Sequence, residues 1–158
     1  MIRDVLRYPD PRLKARAAEA TAADAEGIAA DLVDTMRSFP RCVGIAAPQI
    51  GEAVRMCVVD CSGHPKAPDA SGLLVLVDPV LTLGAETEIG REGCLSIPDL
   101  TANVRRSLSV IVEAVGLRVE ASGFEARAIQ HEVDHLDGLL FLDRVVSASD
   151  VFARKSRG

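Results

Sequence analysis

The sequence predicts an α+β fold: antiparallel β-sheets packed around a buried helix in the C-terminal half, with a second helix near the N-terminus. Three observations carry that expectation. Residues 122–137 combine helix-capping signals with apolar side chains on two faces, the pattern of a buried helix. Residues 21–39 carry a capped segment with one apolar stripe. Between them, short β-prone runs alternate with turns rich in Gly and Pro.

Taken in order, Thr21 opens the first helix, with Asp24 three residues on as its capping partner. Ile28, Leu32, Val33 and Met36 form its stripe, and Pro40 marks the exit. The small, apolar run CVGIAAPQIG follows, and VRMCVVD reads as a strand. CSGHPKAPDASG, residues 61–72, is turn chemistry and reads as a floppy loop. LLVLVDPVLTL is β-prone, and Pro79 within it marks an edge or a bend. REGCLSIPDL reads as a short ordered stretch between strands. SLSVIVEAV reads as another strand, with LRVEA pairing to it across a turn at Gly116. No domain boundary is evident, the only candidate linker being the short 61–72 loop, so residues 1–158 read as a single domain.

At 158 residues and 48% hydrophobic content, the chain can bury a substantial core. It has no apolar run long enough to span a bilayer, and the opening MIRDVLRYPDPRL lacks a signal-peptide core, so a cytoplasmic location is expected and no membrane partner. A net charge of −5 and the absence of Trp argue against nucleic acid as a specific partner. Cys42, Cys57, Cys61 and Cys94 show no disulfide framework and read as thiols.

The last helix carries the chemistry. Ser122 and Glu125 have capping-box spacing, and Asp137-Gly138 supplies the stop. Phe124, Ala128, His131 and His135 share one face; Ala126, Ile129, Val133 and Leu136 form a second, apolar one. The histidines therefore point into the protein. They stand one turn apart, so both can reach one metal ion, and Glu132 between them can face the same water. Phe141 stands where a later histidine would complete a longer zinc-protease motif, and no Glu follows Glu132. The third ligand must come from upstream. His64 and Cys61 sit in the loop, and Cys57 is mid-strand, which leaves Cys42 and Cys94. Cys94 has charged residues on one side and turn formers on the other, consistent with a strand edge at a site.

EGCLS (92–96), QHEVDH (130–135) and GIAAPQ (44–49), in the family's order and near its spacing, resemble the three signature motifs of peptide deformylases, and YPDPRL resembles that family's opening. The resemblance implies that Cys94, His131 and His135 hold one divalent metal ion, Fe(II) natively, with Zn, Ni or Co as substitutes. Three ligands leave a coordination position open for chemistry. The implied substrates are N-formylmethionyl nascent peptides. Glu132 would carry the proton, while the Gln49 amide and the Leu95 backbone N–H would stabilise the oxyanion. Gly44 would let the peptide approach closely, and Phe124 and Ala128 are candidates for the methionine slot. An arginine at this point of the family contacts the substrate backbone, a role for Arg106 or its neighbour Arg105. The chain departs from the family at Cys42, where glycine is usual, and in the short 112–123 segment. Its basic ending ARKSRG suggests a transient ribosome contact. Three rivals remain: a related peptidase, a module that binds formylated N-termini without catalysis, and a structural metal site drawing a fourth ligand from Cys42, Cys61 or His64.

Overall fold

The computed structural model describes residues 1–154; the remainder of the basic tail, Lys155–Gly158, lies outside the described residues. Helix α1 spans Ala22–Ser38 and α2 spans Gly123–Leu136. The strands are β1 Gly44–Ala46, β2 Met56–Asp60, β3 Leu73–Val77, β4 Val80–Leu83, β5 Thr87–Cys94, β6 Ile97–Ser107, β7 Ser109–Ala114, β8 Leu117–Ser122 and β9 Val151–Ala153. They form three antiparallel sheets, ordered β1-β2-β3, β4-β7-β8 and β5-β6-β9. Among the described residues no helix is long and apolar enough to cross a membrane.

Helix α1 starts as expected. Thr21 Oγ accepts from the Asp24 N–H at 3.2 Å, and Asp24 Oδ2 accepts from the Thr21 N–H at 3.3 Å. This reciprocal cap satisfies two donors that the first turn leaves without helical partners. Leu32 and Met36 are buried against Ile45, Met56 and Val58 of the first sheet. The β-prone run at 73–83 breaks before Pro79, and its two halves enter different sheets. The 112–123 segment is part of a hairpin in which β7 and β8 turn at Val115–Gly116.

Helix α2 is buried on several sides. Ala126, Ile129 and Leu136 are wholly inaccessible and pack with Cys57, Val59, Leu76, Val110 and Val112. Gly138 ends it with φ 74°, and a Cβ there would lie 2.5 Å from the Lys14 carbonyl oxygen. Only glycine suits both the left-handed backbone and that approach.

Three local expectations need correction. REGCLSIPDL does not lie between strands; it is the hairpin itself, with β5 and β6 meeting across Leu95–Ser96. Ser122 makes no side-chain cap bond. The Glu125 carboxylate instead accepts from Ser71 N and Oγ, at 2.8 and 2.7 Å. That contact fastens the 61–72 loop, which the sequence presents as floppy, to the start of α2. Cys61 is fully buried within it, and the His64 ring stacks on Phe124 with centroids 4.1 Å apart.

Candidate active site

Cys94 is the last residue of β5, and His131 and His135 stand one turn apart on α2. One donor atom from each lies within 4.8 Å of the others, with Cys94 Sγ 3.4 Å from His135 Nε2. All three residues are buried. A thiolate and two imidazoles form a donor set suited to a transition-metal ion. Cys42, Cys61 and His64 do not join this group among the described residues. That argues against a closed, four-ligand structural centre.

Sequence reasoning passes over Glu92, which orients this group. Its Oε1 lies 2.9 Å from His131 Nδ1. A proton held on Nδ1 leaves Nε2 as the ligand nitrogen. Arg106 grips the same carboxylate with two bonds of 2.9 Å, and Arg127 Nη1 adds a third at 2.7 Å. Arg106 also reaches Asp134 Oδ2 at 2.6 Å, as does Arg144 Nε. Burial works to raise the Glu92 pKa, but His131 and Arg106 outweigh it and hold the carboxyl well below the usual range. Glu92 and Cys94, at i and i+2, are both buried in β5, a relation legible only once the strand is recognised.

This network corrects the expected role of Arg106. Only 4% exposed, it is committed to two buried carboxylates and does not line the cleft. The cause is strand alternation: Val104 and Arg106 face inward on β6, and Arg105 faces out to Thr87. Buried Glu92 and Asp134 require a cation, and Arg106 supplies it. The arginines that do line the cleft are Arg41, Arg91, Arg127 and Arg154.

Glu132 is buried at the cleft floor. Its Oε1 has no donor among the described residues. A Cβ on Gly44 would lie 2.7 Å from Glu132 Oε2, so the absent side chain at 44 makes room first for this carboxylate. Burial raises the Glu132 pKa to about 7. Burial also holds His135 well below the usual histidine pKa and so neutral, the form a metal ligand needs. At His131 burial opposes a positive charge, but Glu132, Cys94 and Glu92 outweigh it and raise its pKa. The same negative surroundings favour a metal cation. Phe141 packs its ring against His131, with centroids 6.1 Å apart.

Gln49 is 1% exposed, and its Oε1 accepts from the Ala46 N–H at 2.9 Å. That bond aims Nε2 at Ser96 Oγ (3.0 Å) and Cys94 Sγ (3.4 Å). Leu95 lies in the β5–β6 turn, where its N–H meets no backbone acceptor among the described residues. Phe124 and Ala128 line the cleft, whose volume is about 620 Å³. Cys42 lines it too, with Sγ donating to the Gly44 carbonyl at 3.2 Å. Burial, and then the Glu132 charge, push its thiol up to about 12.

Comparison with known proteins agrees with this geometry. The sequence model of the family described as Polypeptide deformylase matches residues 2–150. Peptide deformylase 2 of Vibrio cholerae is 39% identical, over 96% of this chain and 91% of that one. The peptide deformylase of Dictyoglomus thermophilum is also 39% identical, over 92% of this chain and 94% of that one. Among solved structures, the Met-Ala-Ser-bound class I type b peptide deformylase of Acinetobacter baumannii superposes with a TM-score of 0.81 at 35% identity, covering 92% of this chain and 99% of that one. The Thermotoga maritima peptide deformylase gives the same TM-score at 31% identity, covering 93% and 99%. With that match and these identities along nearly its whole length, the chain belongs to the polypeptide deformylase family.

Proposed function

We propose that this chain, as a single catalytic domain spanning residues 1–158, hydrolyses the formamide of N-formylmethionyl nascent peptides in the cytoplasm, releasing formate and a free amino terminus. The observation that carries the reading is the convergence of Cys94, His131 and His135 donors within 4.8 Å, with the unpartnered Glu132 carboxylate in the same cleft. A binding module has no use for a buried carboxylate with an uncommitted oxygen and a pKa of about 7.

Strands β1 and β5 are edge strands of their sheets, and both reach the cleft, through Gly44 and Gly93. An extended peptide lies between them and takes main-chain hydrogen bonds from a free edge. The slot beside Phe124 and Ala128 receives the methionine side chain. Gln49 Nε2, on giving up its long bond to Cys94 Sγ, and the Leu95 N–H donate to the formyl oxygen as negative charge builds there, each contributing about 3 kcal/mol. Cys94, His131 and His135 would hold a divalent ion, which would supply Lewis acidity toward the formyl oxygen and a neighbouring water. Fe(II) is the assignment, and the donor set also accommodates Zn, Ni and Co. Glu132 takes a proton from that water and delivers it to the departing amine nitrogen as the C–N bond breaks. Burial makes this carboxylate more basic than usual, which suits both transfers.

The test is metal analysis of the purified protein with formate release from formyl-Met-Ala-Ser, and acetyl-Met-Ala-Ser as control. Formate from the first peptide and no cleavage of the second is expected. A fully metallated protein that releases no formate would refute the proposal.

A further inference from the structure

We infer that the mouth of the cleft selects acidic side chains at the second and third residues of the formyl-methionyl peptide, through Arg91 and Arg154 on one wall, with Arg41 on another adding only to the positive field. This rests on the deformylase reading above and specifies which substrates it favours. The chain carries a net charge of −5, so three guanidiniums at one opening run against its overall charge. All three line the cleft. Unlike Arg106 and Arg127 beneath them, which are paired with Glu92, none of the three is paired with a carboxylate among the described residues.

Arg91 is held ready for a ligand. Its guanidinium lies over the Phe152 ring, 3.8 Å from the centroid. Nε donates to Asn103 Oδ1 at 3.2 Å and Nη1 to Thr101 Oγ1 at 3.3 Å, and Nη2 meets no acceptor among the described residues. Stacking and two neutral bonds fix the fork without neutralising it. Asp150 is close enough to feel this charge, but it already accepts from Asn103 at 2.9 Å and from Ser147. Arg154 follows β9, anchored by its N–H to the Asp99 carbonyl at 2.8 Å. A Cβ on Gly93 would lie 3.1 Å from Arg154 Nη1, so this guanidinium lies over the residue next to Cys94.

The level of these charges follows from strand geometry. Arg91 is three residues from Cys94 along β5, about 10 Å at a rise of roughly 3.3 Å per residue. An extended peptide with its formyl carbon at Cys94 advances at the same rate. Its third residue therefore comes level with Arg91, and its second lies between Arg91 and the Arg154 guanidinium over Gly93. Carboxylates there meet planar, exposed donors at the cleft mouth, and lysines meet like charge.

The experiment uses the metal-loaded protein with formyl-Met-Glu-Glu, formyl-Met-Gln-Gln and formyl-Met-Lys-Lys. At low salt, kcat/KM for the acidic peptide should exceed that for the basic one by about tenfold, from a few exposed pairs each giving up to about fivefold. The difference should lie in KM and shrink at about 0.5 M NaCl, where screening is strong. In Arg91→Gln/Arg154→Gln the ratio should collapse towards one, and Arg91→Lys/Arg154→Lys should retain most of it. Calorimetric binding of Met-Glu-Glu and Met-Lys-Lys gives a readout that needs no turnover. Tighter binding of the acidic product without any deformylation would overturn the activity and leave the selective mouth standing. Deformylation of all three peptides at equal kcat/KM, or a preference that survives the glutamine pair, would overturn the mouth and leave the activity standing. Equal use of all peptides is also what arginines serving RNA phosphates would give.

Discussion

Gly44→Ala asks whether the glycine of GIAAPQ serves the peptide or the catalytic carboxylate. A Cβ at 44 would stand 2.7 Å from Glu132 Oε2, 2.9 Å from Cγ and 3.0 Å from Cδ. Non-bonded carbons prefer about 3.5–4 Å, so Glu132 must retreat by roughly 0.5–1 Å. It is only 5% exposed and sits on a helix buried on several sides, so the shift is forced into a packed floor. A misplacement of about 1 Å at a reacting group can cost around a hundredfold, or about 2.7 kcal/mol of activation free energy. Overpacking should add about 1–3 kcal/mol of lost stability. The assay is kcat and KM for formate release from a formyl-Met tripeptide, with metal content and thermal midpoint measured on the same samples. The expected result is a fall in kcat of about a hundredfold with metal content unchanged. A kcat within about threefold of the parent, with KM alone raised, would refute this reasoning, since uniform loss of substrate binding raises KM without touching kcat. Gly44 would then act through close approach of the peptide backbone.

Other substitutions separate the roles of neighbouring groups. Cys94→Ser should lose most bound metal on dialysis, because a hydroxyl replaces a thiolate; full occupancy by elemental analysis would remove Cys94 from the ligand set. Glu132→Gln should keep its metal while deformylation falls at least about a hundredfold, and near-parental turnover would sink its role as proton carrier. Arg106→Met removes one guanidinium from Glu92, which keeps Arg127, and from Asp134, which keeps Arg144, and should cost about 1–3 kcal/mol in denaturant titrations, with weaker metal retention; a loss below about 0.5 kcal/mol would contradict the network. The same variant tests pH dependence. The folded-state pKa of Glu92 is depressed, so its stabilisation is complete above the ordinary value of 4.5 and is lost as pH falls towards the folded-state value. The parent should therefore lose stability more steeply than Arg106→Met below that pH, and parallel acid limbs would count against it.

What could be read from the sequence was what local spacing decides. The Thr21–Asp24 cap, the stripe on α1 and the placing of His131, Glu132 and His135 all depend on residues within two turns of one another. Partners distant in sequence could not be read in this way. Glu125 has the spacing of a cap residue, yet its carboxylate bonds to Ser71, 54 positions away. Arg106 was misassigned because residues 97–107 carry too few unbroken apolar alternations to reveal an eleven-residue strand. Without the strand there is no phase, and without the phase Arg105 and Arg106 cannot be told apart. Glu92 escaped notice for the same reason, since its shared face with Cys94 exists only once β5 does.

The ligands of the metal group belong to different parts of the core. Cys94 packs with Ile97, Val104 and Phe141, in a cluster built on β5 and β6. The apolar face of α2, which carries both histidines, packs with Cys57, Leu76 and Val112 in another. Apolar packing fixes each unit by volume and tolerates small slides between them, because it has little directional preference. A tetrahedral metal site does not tolerate such slides. Directional bonds cross from one unit to the other: those of Glu92 on β5 and Arg106 on β6 with His131, Asp134 and Arg127 on α2, and those of Gln130 on α2 with Ser107 on β6. Burying these charges costs desolvation, so hydrophobic replacements of equal volume could give a more stable chain. Such a chain would lose the contacts that set the helix against the hairpin. The network is therefore better understood as fixing register than as adding stability. It also explains why the carboxylate two residues before the ligand cysteine is not free to act as the base: Glu92 is held ionised by its partners, and the proton is left to Glu132, whose Oε1 no donor among the described residues holds.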